Sequence, residues 1–151
     1  VSMATGTAFL GQQAAYITDL PGTYSLAAST PDEKIVHDYI NGNVPAAPRP
    51  DVLVCVIDAT QFAKNLFLAS QLAEHQIPMV IALSFWDTAA RQRTEFDLSL
   101  LKQRLGVPIV PINVSKNEGI ETLKESIQKA YQKKQTMTWR LRIQKSLQMS
   151  L

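Results

Sequence analysis

Three mainly apolar runs lie along the chain, and each one predicts a β-strand. They cover residues 52–57, 77–83 and 107–112. Runs of this length, rich in branched side chains, are typical of strands inside a parallel sheet, and the first predicts a strand that is buried on both faces. Pro78 lies near the start of its run, where a strand tolerates proline.

Between and after these runs, apolar residues recur every three or four positions, which predicts helices. The predicted helices cover residues 31–40, 61–75, 98–105 and 120–131. Pro31, followed by two acidic residues, suits the first turn of a helix. Asp97 is a good N-cap and Gly106 a good stop for the third helix. Strands that alternate with helices in this way predict the α/β class, with a mostly parallel sheet and helices on both of its faces.

The N-terminal part of the chain has a different pattern. Short apolar runs at residues 8–10 and 14–18 flank a turn, which predicts a hairpin whose second strand is buried. Asp19 follows at the end of that strand, and Gly22 comes three residues later. This pair suits a water-mediated Mg²⁺ contact and a close approach of a phosphate oxygen to backbone N–H, and it equally suits an ordinary proline–glycine turn.

Composition narrows the class of protein. The 151 residues are 46% hydrophobic and 19% charged, which is typical of one globular domain. A formal net charge of +2 gives no reason to expect nucleic acid as a partner. Cys55, the single cysteine, lies in an apolar run and is predicted to be a core residue in a reducing compartment. No apolar run is long enough to span a bilayer.

Residues 19–26 read D-L-P-G-T-Y-S-L, and this segment resembles the G domain of the ferrous iron transport protein B family, FeoB. The similarity continues through I-D-A-T and N-L-F-L within residues 51–68 and R-L-G-V-P at residues 104–108, and it covers roughly residues 1–133. FeoB proteins are bacterial membrane proteins with a cytosolic GTPase-like domain. The resemblance therefore implies a P-loop GTPase-like fold, GTP or GDP with Mg²⁺ as cofactors, and a place on the cytoplasmic face of the bacterial inner membrane.

On the phosphate side, the resemblance assigns a role to each residue of the first loop. Asp19 would hold Mg²⁺ through a water, Gly22 would sense the terminal phosphate, and Thr23 would belong to the second switch. In the intact transporter, GTP binding and slow hydrolysis would regulate Fe²⁺ passage through a separate transmembrane part.

On the base side, Ser84 and Asp87 occupy the first and last positions of the N-K-x-D motif. The carboxylate at the last position accepts two hydrogen bonds from guanine. Asn113, Val114 and Ser115 belong to the loop that presents a backbone N–H to the base. Three such loops in the order that G proteins use, each after a predicted strand, favour a guanine-nucleotide site over a flavodoxin-like or receiver-like domain.

The sequence also departs from the family pattern at the nucleotide. It contains no G-x-x-x-x-G-K-S/T, the loop that cradles the phosphates, and the first switch with its Mg²⁺-binding threonine is also absent. Ser84 stands where the family has asparagine, and a hydroxyl offers fewer hydrogen bonds than an amide. We therefore expect weak or lost binding of nucleotide and Mg²⁺, and little or no GTPase activity from this chain alone. A degenerate G domain that serves as a protein interaction module is the alternative.

The resemblance implies a strand that this chain does not supply. In the family fold, an N-terminal strand lies between the strand that ends at Asp19 and the strand that ends at Ile57. Unpaired strand edges are costly when buried and adhesive when exposed. We therefore expect residues 14–18 to pair with residues 52–57, or else the chain to be unstable and sticky.

The remaining expectations concern boundaries and partners. Residues 1–134 are expected to form the G domain, and residues 135–151 a tail or the start of a further helical region, with a basic amphipathic helix at a membrane surface as a sharper alternative. The partners implied by the resemblance are a guanine nucleotide and the transmembrane part of the transporter.

Trp86 is expected to cover a neighbouring helix rather than stack on a base. His37 and His75 are expected to face solvent rather than bind a metal.

Overall fold

The computed structural model describes residues 3–23, 26–91, 97–134 and 136–137. The strands and α-helices are, in order, β1 (Ala4–Leu10), β2 (Gln13–Asp19), α1 (Pro31–Ile40), β3 (Leu53–Asp58), α2 (Phe62–Ala73), β4 (Met79–Ser84), α3 (Trp86–Arg91), α4 (Leu98–Leu105), β5 (Ile109–Pro111) and α5 (Ile120–Lys133). Short 3₁₀ turns lie at Ala59–Gln61 and Val114–Lys116. The predicted tail, residues 135–151, lies outside the described residues except for Thr136 and Met137, of which Met137 is buried.

β3, β4 and β5 form a parallel sheet in that order. Alternate residues of β4 point to opposite faces: Ile81 belongs to the larger core cluster with α1, α2 and α4, whereas Val80 and Ala82 belong to a smaller cluster under α5. Helices therefore cover both faces, and the predicted α/β class with a mostly parallel sheet is confirmed.

β3 differs from its prediction as a strand buried on both faces. Cys55 and Ile57 are buried, but Val54 is exposed and Val56 is 61% exposed. The reason is that β3 is the edge strand of its sheet in the described part of the chain, and α5 on the second face packs over β4 and β5. Cys55 is a core residue as predicted, and burial raises the pKa of its thiol to about 12, so the thiol stays protonated.

β1 and β2 form the predicted hairpin, with antiparallel pairing along both strands. The prediction that residues 14–18 are buried is wrong, because Tyr16 is 91% exposed and Ile17 is exposed as well. Of the two expected alternatives, the pairing with residues 52–57 is not formed, because the hairpin is a sheet of its own. Helix α1 contacts both sheets: the Tyr39 hydroxyl donates to Thr18 Oγ1 at 3.2 Å, and the same residue packs in the larger core. This contact and the packing of α5 against β1 join the hairpin to the parallel sheet.

Arg49 joins the C-terminal ends of α1 and α2. Its Nε donates to the carbonyl of Ile40 at 3.0 Å, and its Nη2 donates to the carbonyl of His75 at 2.6 Å. A guanidinium at this place complements the negative ends of both helix dipoles. Partial burial, followed by the positive charges of Arg49 and His37, lowers the pKa of the His75 ring, and Glu74 opposes the effect.

We expect the free energy of unfolding to rise with pH in the range just below about 6.5. The pKa of His75 is depressed in the folded chain, so the unfolded chain binds the proton more readily and protonation favours unfolding. The effect is small because the ring is half-buried and solvent screens it. Urea unfolding at about pH 5 and about pH 7.5 measures the slope. If a His75→Gln variant keeps the wild-type slope, another group is responsible.

Candidate nucleotide site

The residues predicted for the base side lie at the carboxyl end of the parallel sheet. Ser84 is the last residue of β4, and Asp87 lies in the first turn of α3. Val114 and Ser115 lie in the 3₁₀ turn that follows β5. Because β4 and β5 are paired neighbours, the structure brings these residues to one edge of the sheet, which is where open α/β sheets bind ligands.

The side chain of Ser84 holds two strands together. Its hydroxyl donates to the carbonyl of Ile57 at 3.1 Å, which joins the ends of β3 and β4. A hydroxyl carries one proton, so this bond uses the donor and leaves Ser84 only an acceptor to offer a ligand. The residue at the asparagine position of the family motif therefore has a structural role in this chain.

The carboxylate of Asp87 is exposed and only lightly held. Its Oδ1 accepts from the backbone N–H of Thr88 at 3.1 Å, and its Oδ2 lies 4.0 Å from Nη2 of Arg91. Both side chains of the ion pair are exposed, and pairs of that kind contribute little. A ligand that offers two N–H donors can therefore displace Arg91 and donate both hydrogen bonds to the carboxylate.

The loop after β5 is closed by its own hydrogen bonds. Asn113 and Glu118 exchange backbone bonds of 3.0 and 2.9 Å. The Asn113 side chain also accepts from the Ser115 hydroxyl at 2.8 Å and from the Lys116 N–H at 3.3 Å. Val114 projects outward and is 72% exposed. These bonds define the shape of the loop, and Asn113 takes part in all four of them.

The residues predicted for the phosphate side form a second group, at the end of the hairpin. Asp19 is the last residue of β2 and is exposed, Gly22 is exposed, and Thr23 is half-buried. A Cβ built on Gly22 would meet nothing within 4 Å, so the backbone is open to a ligand there. Asp19 fits a water-mediated contact with Mg²⁺, although a single exposed carboxylate does not by itself make a magnesium site.

Phe85 was missed by the sequence analysis. It is 59% exposed at the end of β4, and its φ of +55° lies in the left-handed region. Non-glycine residues there are uncommon and often mark functional positions. The next residue, Trp86, packs against the larger core cluster, as expected of a covering residue. Two consecutive aromatic residues after a strand were the available signal, and only the tertiary structure shows which of them stays exposed.

The described residues contain no metal-binding cluster of three or more His, Cys, Asp or Glu side chains. Within the same ranges, no helix is long and apolar enough to cross a membrane.

Comparisons with known proteins give a consistent result. A family model described as ferrous iron transport protein B matches residues 1–127. The Fe(2+) transporter FeoB of Salmonella typhimurium is 40% identical over 116 residues, which make up 74% of this chain and 14% of the relative. The chain thus spans a small part of the length of that curated relative.

Solved structures agree in fold as well as sequence. The FeoB G-domain from Methanococcus jannaschii superposes with a TM-score of 0.76 at 37% identity, over 85% of this chain and 79% of that one. The cytosolic domain of the T. maritima FeoB iron transporter in its GMPPNP form has a TM-score of 0.81 at 30% identity, over 93% of this chain and 53% of that one. The same domain in a GDP form gives the same values.

Proposed function

Because the chain belongs to the ferrous iron transport protein B family, we propose that it acts as the guanine-nucleotide-binding G domain of a ferrous iron transporter, in which GTP binding and hydrolysis regulate Fe²⁺ uptake. The observation that carries the proposal is the meeting of Asp87 and the Ser115 loop at the carboxyl edge of the sheet. The T. maritima relative, whose structures have GMPPNP and GDP forms, supports a guanine nucleotide as the ligand.

In this proposal, Asp87 reads the base by accepting two hydrogen bonds from guanine, which adenine does not offer. Val114 and Ser115 contribute the loop that closes over the same edge of the base. Ser84 contributes little to affinity, since its proton is used on the carbonyl of Ile57. The base is therefore recognised mainly through one carboxylate.

On the phosphate side, Asp19 would hold Mg²⁺ through water, while Gly22 and Thr23 would face the terminal phosphate. Mg²⁺, when bound, would neutralise phosphate charge. Since the sequence has no phosphate-cradling loop, we expect weak binding and little hydrolysis from this chain alone. Regulation would act on the transmembrane part of the transporter from the cytoplasmic face of the membrane, with residues 1–134 as the G domain.

A second candidate is a degenerate G domain that binds no nucleotide and serves as an interaction module. The engaged hydroxyl of Ser84 favours it, as do the exposed apolar side chains of Tyr16 and Val56 on strand edges. The two candidates differ in one measurable property, which is a preference for guanine nucleotides.

Titration of the chain with fluorescent GDP and ADP, with and without Mg²⁺, tests the proposal. We expect GDP to bind at least about tenfold more tightly than ADP, because a charged acceptor is worth about 1.5–3 kcal/mol per hydrogen bond. Asp87→Asn should abolish the preference, whereas Asp97→Asn, at an exposed helix N-cap, should keep it. Equal affinities would favour the interaction module, and so would a failure to bind either nucleotide that persists when the phosphate-cradling loop of the family is added ahead of residue 1.

A further inference from the structure

The loop that carries Gly22 and Thr23 is tied to helix α2. The backbone N–H of Leu26 donates to Oε1 of Gln71 at 2.8 Å, although the residues are 45 positions apart in the sequence. Both residues are half-buried, where water competes less for the bond than at an open surface. The contact joins Leu26, the last residue of the D-L-P-G-T-Y-S-L segment, to helix α2.

From Leu26 onward, the segment before α1 is fixed in place. The Leu26 side chain packs against the larger core cluster. The N–H and hydroxyl of Ser29 donate to Oε2 of Glu33 at 3.0 and 2.8 Å, and the Glu33 N–H donates to Oγ1 of Thr30 at 3.2 Å. Gly22 and Thr23 therefore lie between two anchors, the end of β2 on one side and Leu26 on the other.

Gln71 lies in the last turn of helix α2. Helix α2 starts from the 3₁₀ turn at the carboxyl end of β3, directly after Asp58. The neighbouring residue Ile57 accepts the hydrogen bond from Ser84 on the base side. Helix α2 thus runs from the carboxyl edge of the sheet, where the base-side residues lie, to Gln71, which binds the Leu26 N–H.

We propose that Gln71 is a positioning residue: by holding the Leu26 N–H, it sets where Gly22 and Thr23 stand relative to α2. The proposal rests on the function proposed above only in that this loop faces the phosphates. The feature that matters is an acceptor oxygen at the end of a two-carbon chain, which glutamine and glutamate both supply.

Two substitutions of similar length separate the hydrogen bond from packing. Gln71→Met keeps the volume and removes the acceptor, while Gln71→Glu keeps an acceptor. In the full chain without nucleotide, we expect Gln71→Met to speed hydrogen exchange of the Leu26 amide about five- to tenfold, the effect of losing one typical hydrogen bond. We also expect it to shift the NMR signals of the Gly22 and Thr23 amides. Gln71→Glu should restore both readouts, and Gln103→Met, exposed on α4, should change neither.

Two outcomes would overturn the proposal. If both Gln71 variants speed exchange equally and lower the melting temperature, the residue only packs. If Gln71→Met leaves the Leu26 exchange and the loop signals unchanged, the bond does not position the loop. Gln71→Leu serves the same comparison if the methionine variant does not fold. Because no nucleotide is present, failure here is distinct from a failure to bind GDP.

Discussion

Replacing Gly119 with alanine is expected to lower the free energy of unfolding by about 2–4 kcal/mol, the sum of a strained backbone and a collision. Gly119 stands at the N-terminus of α5 with φ of +80°. A Cβ there would collide with the carbonyl oxygen of Pro111 and lie 3.2 Å from Cα of Ile112. These are backbone atoms at the end of β5, which cannot move aside as a flexible side chain can.

Alanine substitutions at two other glycines separate the cost of the strained backbone from the cost of the collision. Gly11 has φ of +64°, but its Cβ would meet only the Gln128 side chain, at 3.6 Å. Gly11→Ala should therefore cost only the conformational part, about 1–2 kcal/mol. Gly6 has nothing within 4 Å, and Gly6→Ala should stay within about 0.5 kcal/mol of wild type.

Urea unfolding of the three variants should rank Gly6→Ala, Gly11→Ala and Gly119→Ala in order of increasing loss. Because Gly119 seats the loop of Asn113–Glu118 against β5, its replacement should also abolish any preference for GDP over ADP. If Gly119→Ala is no worse than Gly11→Ala, the loop is not packed against Pro111 as the structure has it.

The features that could be predicted from the sequence depend on residues close together in the chain. Helix α4 is one case: Oδ1 of Asp97 accepts from the Leu100 N–H at 3.0 Å, and Gly106 ends the helix with φ of +76°. The hairpin of β1 and β2 is another, since a short turn fixes both partners. The position of the base-side loops could also be predicted from the sequence, because parallel strands end at a common edge of the sheet.

What could not be predicted depends on which elements cover which faces. The apolar run of residues 52–57 suggests that both faces of β3 are buried. The sequence does not show that α5 leaves the second face of β3 uncovered. The exposure of Tyr16 on β2 likewise depends on which elements cover the hairpin. At the site, the bond from Ser84 to Ile57 joins residues 27 positions apart, and no local pattern signals it. The roles of Asp19, Gly22, Thr23, Asp87, Val114 and Ser115 in nucleotide binding stay predictions.

Because two strand edges are exposed, we expect the chain to self-associate. In the described part of the chain, β2 pairs with β1 and β3 with β4, so each has an edge without a strand partner. Apolar side chains stand exposed along both, with Tyr16 on β2 and Val56 on β3. Such edges pair readily with other chains. Since residues 14–18 and 52–57 do not pair with each other, we expect the chain to associate at concentrations of about 10–200 µM in sedimentation velocity.

Val56→Lys should weaken this association by about tenfold or more, because a charged side chain on an edge strand opposes pairing. Its effect on folding should stay within about 0.5 kcal/mol, since Val56 is already 61% exposed. Val114→Lys is the matched control: Val114 is 72% exposed, but it lies in a 3₁₀ turn without a strand edge. Both substitutions add the same positive charge to the net +2 of the chain, so general repulsion would weaken association equally in both. An effect confined to Val56→Lys would locate the contact at β3, whereas equal effects, or a wild-type chain that stays monomeric throughout, would show that the strand edges are not adhesive.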